Sequence, residues 1–202
     1  MRPIHNLLFF LFSTLIVACN SEKEEENRLD FSTIENKFKY ENLDHFYIDT
    51  IDWVKRKEMY AILDSNTFYH VYQDTAIKYT ETDPDGVDCN FFYSKQKSPR
   101  NLIEFTVLSQ SESDYCDHIS YNIYDLKGKL ISSFIVARQC GDGGYYEVSS
   151  GKFLNDSTYE FLSEDNYNSE DSENADLNTH SKIITVIHNN GTITQSKSEK
   201  IN

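Results

Sequence analysis

Between Ile119 and Ala137 two runs rich in Ile, Tyr, Leu, Phe and Val face each other across Lys127-Gly128-Lys129. No other stretch constrains the fold as much. Residues of this kind favour the pleated, half-buried faces of sheets, and a short glycine-containing loop turns one strand back on the next. A three-residue loop at Lys127–Lys129 sets Leu126 opposite Leu130. Stepping outward, it sets Ile123 opposite Ser133, Tyr121 opposite Ile135 and Ile119 opposite Ala137, so one face of the hairpin is apolar for most of its length. Continued outward, the same register brings Cys116 opposite Cys140.

Short runs of the same texture recur along the chain. They are Asp44–Asp49, Met59–Leu63, Thr67–Gln73, Ala76–Thr80, Cys89–Tyr93, Leu102–Leu108, Tyr145–Ser149, Thr158–Leu162, Lys182–His188 and Thr192–Gln195. Turn signals separate them, among them Asp83-Pro84-Asp85-Gly86, Gly141-Asp142-Gly143-Gly144 and Asn190-Gly191, the last predicting a second hairpin near the C-terminus. Strand, turn and strand at short spacing predict a mainly β fold, an antiparallel meander of hairpins arranged as a sandwich or a propeller-like barrel of sheets. Ser32-Thr33-Ile34-Glu35 has the spacing of a capping box. It predicts one short N-terminal helix to about Tyr40, with Ile34 and Phe38 on one face. The acidic stretch from Glu164 predicts a mobile loop over 164–180. Residues 31–202 are accordingly expected to form a single mainly β domain.

The N-terminus has a different texture. After Arg2, an apolar run from Leu7 to Ala18 ends abruptly at Cys19 and is followed by Ser21-Glu22-Lys23-Glu24-Glu25-Glu26. At about 1.5 Å per residue the run covers roughly 18 Å, short of a ~30 Å hydrocarbon core, so it reads as the apolar region of a secretory signal. Ile16-Val17-Ala18-Cys19 resembles the lipobox of bacterial lipoproteins. In that family residues 1–18 are removed, the cysteine takes a diacylglyceryl thioether, and its amine is usually acylated as well. The resemblance implies that Cys19 is the lipidation site and that residues 19–30 are a tether. At about 0.8 kcal/mol per buried CH₂, two or three palmitate-like chains hold a soluble domain at a bilayer. The glutamates after Cys19 resemble the segment that marks lipoproteins for surface export in Bacteroidota, and a plain solvated tether has the same composition. The resemblance thus implies a lipid anchor in the cell outer membrane, with surface display left open. It covers residues 1–26.

With Cys19 lipidated, Cys89, Cys116 and Cys140 remain in a compartment where disulfides persist. Three cysteines allow three single bridges, and the hairpin register selects Cys116–Cys140, which stabilises by roughly 2–4 kcal/mol. The rival is a zinc site from Asp114, Cys116, Asp117, His118, Cys140 and Asp142. No CxxC, HxxxH or HExxH spacing supports it, and oxidation consumes two of its ligands.

Chemistry is otherwise sparse. The net charge of −14 becomes −15 once Arg2 leaves with the signal, which excludes a general affinity for nucleic acid. There is no GxSxG, SxxK or phosphate-cradling loop, so no catalytic residue is assigned and the chain is expected not to be an enzyme. No cofactor is expected. Asp83-Pro84-Asp85-Gly86-Val87-Asp88 and Asp165–Asp176 bunch oxygen donors suited at most to weak calcium binding, since neither follows the EF-hand order. The expected function is that of a lipid-anchored accessory or binding lipoprotein of the outer membrane, contacting an unknown protein or glycan partner. The alternative is an acidic immunity-type inhibitor that plugs the basic active site of a toxin, steered by opposite charge. An envelope hydrolase is a third, minor reading.

Overall fold

The computed structural model describes residues 28–74, 79, 88–111, 115–167 and 177–201. Two short strands, β1 (Tyr40–Glu41) and β2 (His45–Phe46), lead into two helices, α1 (Trp53–Met59) and α2 (Ser65–Tyr72). Seven consecutive strands follow: β3 (Cys89–Gln96), β4 (Ile103–Ser111), β5 (Cys116–Tyr124), β6 (Leu130–Asp142), β7 (Tyr145–Asn155), β8 (Thr158–Tyr167) and β9 (Leu177–Ile187). Each pairs antiparallel with the next, and β10 (Ile193–Gln195) and β11 (Glu199–Ile201) both pair with β9. The mainly β antiparallel meander expected from the sequence is present, as one open sheet.

That sheet bends between β6 and β7. The two strands pair only from Arg138 to Asp142, after which β7 takes β2 as its neighbour, with Phe46 opposite Gly151. Where they part, the carbonyl of Val136 accepts a hydrogen bond from Tyr159 Oη on β8 at 2.6 Å. Gly151 clears the path, because a Cβ there would lie 2.5 Å from Tyr159 Oη and 2.4 Å from the Glu160 carbonyl. The halves of the sheet face each other across one core: Phe91, Ile119, Tyr121 and Ile123 on one side, Tyr159 and Ile187 on the other, and Phe46 between. The opposite face of β3–β5 carries a second core, in which Phe92, Phe105, Val107 and Tyr124 pack against Leu29, Ile34, Leu63 and Val71. β3 to β5 are therefore buried on both faces.

The central hairpin differs from its predicted form in an informative way. Its loop is Asp125–Lys129, not three residues, and Tyr124 pairs with Leu130, leaving Leu126 exposed. Asp125 Oδ1 accepts from the amides of Lys127 and Lys129, and Gly128 takes φ +78°. Two register shifts then leave Ile131 and Val136 as extra residues of β6. Between them Tyr121 faces Phe134 and Ile123 faces Ser132, in place of Ile135 and Ser133. Beyond them Ile119 faces Ala137 and Cys116 faces Cys140, as predicted. The longer loop and the two bulges cancel at the base of the hairpin.

Four other expectations are corrected. Thr67–Gln73 is helical, not a strand: Asp64 accepts from the Thr67 amide as N-cap, Gln73 closes the helix at φ +49°, and Phe68 and Val71 are buried at helical spacing. Of the predicted strand Met59–Leu63, Met59 ends α1, while Ile62 makes only an isolated bridge to Phe91. The N-terminal helix is a single 3₁₀ turn, Phe31–Thr33, because Asp30 rather than Ser32 acts as the cap. Ile34 and Phe38 still face inward, Phe38 against Phe92 and Phe105. The predicted loop at 164–180 begins and ends as strand. In the β8–β9 ladder Glu164 pairs with His180 and Asp165 with Thr179, so between these two strands no like charges stand opposite each other. The intervening residues 168–176 and the strand predicted at Ala76–Thr80, apart from Tyr79, lie outside the described residues.

Candidate functional site

One end of the core between the sheet halves is closed by α1. Asp52 caps this helix by accepting from the Val54 amide at 2.7 Å, which directs Arg56 inward over the end of β4 and the start of β5. The Arg56 side chain is 4% exposed. Its Nε and Nη2 donate to Asp49 Oδ1 at 3.2 and 3.1 Å, and Nη2 also donates to the Asp49 carbonyl. Nη1 donates to Gln110 Oε1 at 2.7 Å and Asp117 Oδ2 at 2.6 Å, residues that face each other in the β4–β5 ladder. A guanidinium has five N–H donors, and all five are used here. Burial works against the Arg56 charge, and Asp117 and Asp49 outweigh it, leaving its pKa above the ordinary arginine value. Asp49 Oδ2 also accepts from Tyr60 Oη at 3.2 Å. Burial, with help from Tyr40 and Asp49, pushes the Tyr60 phenol above its usual range.

Above this network lies a cleft of about 490 Å³. The Cys116–Cys140 disulfide lies along it, joining β5 to β6 as the register predicts. Its lips are two tyrosines that remain open to solvent, Tyr115 at 56% and Tyr146 at 45% exposure. Tyr146 stands opposite Gly141 in the β6–β7 ladder, and its ring lies against the backbone there. A Cβ on Gly141 would sit 3.4 Å from Tyr146 Cδ2. On the β5 side the Tyr115 carbonyl accepts from the Gly141 amide at 3.0 Å, and Tyr115 itself sits at φ +50°. A left-handed backbone is an outlier for so bulky a residue and is kept only where the surroundings impose it.

The opposite end of the same core is closed by a second buried arginine. Arg100 meets Glu104 through both carboxylate oxygens, at 3.1 and 3.0 Å, with side chains 3% and 1% exposed. Tyr121 Oη donates to the same carboxylate at 2.6 Å and Ser98 Oγ at 2.5 Å. Arg100 Nη1 reaches the Asp156 carbonyl and ties the β7–β8 turn down. Glu104 and Gln110 share one face of β4, so each end of the core is held by an arginine anchored to that strand.

The proposed zinc ligands do not converge. Cys116 and Cys140 are joined to each other, Asp117 turns toward Arg56, and Asp114 lies outside the described residues. Among the described residues no group of three or more His, Cys, Asp and Glu side chains is arranged to hold a metal ion. The expected lipidation site Cys19, the expected tether as far as residue 27 and most of both oxygen-rich stretches also lie outside them. Cys89 is buried in β3, and burial raises the pKa of its thiol. Sequence reasoning missed Asp49, Arg56, Gln110 and Tyr146. The available signal was Asp52 followed by Lys55-Arg56-Lys57, an acidic cap and a cationic last turn. Comparison with known proteins finds no matching family model, no matching curated protein and no matching solved structure.

Proposed function

We propose that this chain is a lipid-anchored binding protein of the bacterial outer membrane, tethered through Cys19, that takes a ligand in the cleft between Tyr115 and Tyr146 without transforming it. The observation that carries the reading is how the cleft's ionisable groups are used. Arg56 has no donor left, Asp49 and Asp117 are both bonded to it, and the two cysteines are bonded to each other. A pair of carboxylates that hydrolyses a glycoside flanks the scissile bond, whereas here a guanidinium occupies the space between them. No histidine lines the cleft among the described residues. What remains is open aromatic surface beside polar acceptors, a combination suited to holding a molecule.

The anchor rests on the lipobox resemblance and is tested in cells. Membrane fractions from the wild type and from a Cys19→Ala variant are compared by immunoblot, with protease shaving of intact cells. The wild type is expected in the outer membrane and the variant in the soluble or unprocessed pool. A Cys19→Ala protein that is processed normally and stays with the membrane through a high-salt wash refutes the anchor.

A further inference from the structure

We infer that the cleft takes a neutral, hydroxyl-rich ring, a sugar residue of a glycan, stacked on Tyr146 with its hydroxyls donating to the carboxylate side of the cleft. The inference rests on the cleft being the binding site and adds the class of ligand. Three observations carry it.

The first is the platform. Tyr146 is backed by Gly141, so one face of its ring is supported by β6 while nearly half the residue stays exposed. A ring held from behind needs little ordering to receive a flat partner, and sugar rings present C–H faces that match aromatic ones in size. The second is the hydrogen-bond polarity of the floor. Arg56 is the cation there, and its five donors are consumed by Asp49, Gln110 and Asp117. The cleft therefore offers carboxylate and amide oxygen rather than a guanidinium fork. Among the described residues no lysine and no second arginine lines the cleft to form the charge-assisted bonds that phosphate, sulfate or uronate groups favour. The third is charge. Two carboxylates against one guanidinium leave the floor negative within a chain of net charge −14, which repels anions further. Because both carboxylates already engage Arg56, no unspent pair remains to select a cation, and a neutral hydroxyl donor fits best.

The test uses the full-length chain in detergent and isothermal titration with four probes at millimolar concentration. They are glucose and N-acetylglucosamine oligosaccharides as neutral rings, oligogalacturonate as an anionic one, and a lysine oligomer as a cation. At least one neutral oligosaccharide is expected to bind, with oligogalacturonate silent. Tyr146→Ala is expected to weaken that binding roughly ten-fold, Tyr146→Phe to retain most of it, and Tyr69→Ala, on the distant α2, to leave it unchanged. Because Tyr146 is exposed, these variants are expected to melt with the wild type. Silence of both neutral probes, or preference for the lysine oligomer or oligogalacturonate, overturns the sugar assignment. A charged probe lost on Tyr146→Ala would leave the cleft as the binding site. A neutral oligosaccharide held equally well by Tyr146→Ala overturns both the inference and the cleft.

Discussion

Raising the pH above 10 should unfold this protein cooperatively, because its cores are built on tyrosines that cannot ionise in place. Four of them are buried and donate their phenolic proton to an acceptor with none to return. Tyr124 donates to the Val71 carbonyl, Tyr159 to the Val136 carbonyl, Tyr121 to Glu104 and Tyr60 to Asp49. A phenolate at any of these positions would face a carbonyl or carboxylate oxygen in a dry site. Burial, the largest cause in each case, raises all four pKa values above the ordinary tyrosine value of 10. The sign follows from linkage. Above pH 10 the unfolded chain releases protons that the folded chain keeps, so stability is complete below 10 and falls as pH rises toward the folded values. Each tyrosine removes about 1.4 kcal/mol per pH unit, and the four together about 5–6. A domain stability of about 5–15 kcal/mol is then exhausted within roughly one to three pH units.

The assay is a pH titration followed by far-UV circular dichroism and by tyrosinate absorbance on the same samples. Tyr145, which its partial burial and the charges of Glu147 and Asp165 push up to about 12, should ionise ahead of the buried set. The buried set should ionise only with the loss of ellipticity. Tyr159→Phe sharpens the test. It leaves the Val136 carbonyl without its donor and costs about 1 kcal/mol at neutral pH, yet removes one titrating group. The variant should become the more stable protein about one pH unit above 10. Ionisation of all fourteen tyrosines in one non-cooperative step with ellipticity unchanged would refute the reasoning.

Other outcomes follow from single contacts. The disulfide closes a loop with a sequence separation of 24, for which the chain-entropy estimate is about 3.5 kcal/mol, so Cys116→Ser with Cys140→Ser should lower the denaturation free energy by about that amount in guanidinium melts. Arg56→Met removes the shared partner of Asp49 and Asp117 and is expected to cost about 3–5 kcal/mol, whereas Lys55→Met, on the exposed side of α1, should change stability by under about 0.5. Gly151→Ala must displace either the Glu160 carbonyl or Tyr159, and should cost about 2–3 kcal/mol by thermal melting. Asp64→Ala should cost about 1 kcal/mol at pH 7. The bond from the Thr67 amide lowers the Asp64 pKa below its ordinary value. The difference between wild type and variant should therefore hold above about pH 4 and disappear as the pH falls through that lowered value, in parallel urea melts.

The legible parts of the site and those that were not divide by sequence distance. The bridge from Cys116 to Cys140 was readable because both lie on one hairpin whose register can be counted outward from its turn. Tyr146 belongs to the next hairpin and reached the cleft only because β6 runs on to Asp142, past the apolar run that ends at Ala137, and carries Gly141 beneath the ring. The Arg56 network draws Asp49 from a loop, Arg56 from α1, Gln110 from β4 and Asp117 from β5, and no periodicity links them. The Arg100–Glu104 pair has helical i,i+4 spacing but spans the turn into β4, where local pattern gives no reason to expect an ion pair.

By itself the sequence determined the antiparallel meander, the outline of its strands, and the pairing at the base of the central hairpin. Alternation, turn residues and chain reversal act over a few residues and need no partner. Tertiary structure decided the rest. Phe68, Tyr69, Val71 and Tyr72 have the composition of a strand, yet they lie on a helix because Asp64 caps it and Phe68 and Val71 can be buried together only at helical spacing. It also decided the bend between β6 and β7, where the bulge at Val136 and the space at Gly151 admit the Tyr159 hydroxyl. Both features depend on atoms far apart in the chain. Such atoms acquire their energies only when the core closes around them and removes the water that would otherwise satisfy them.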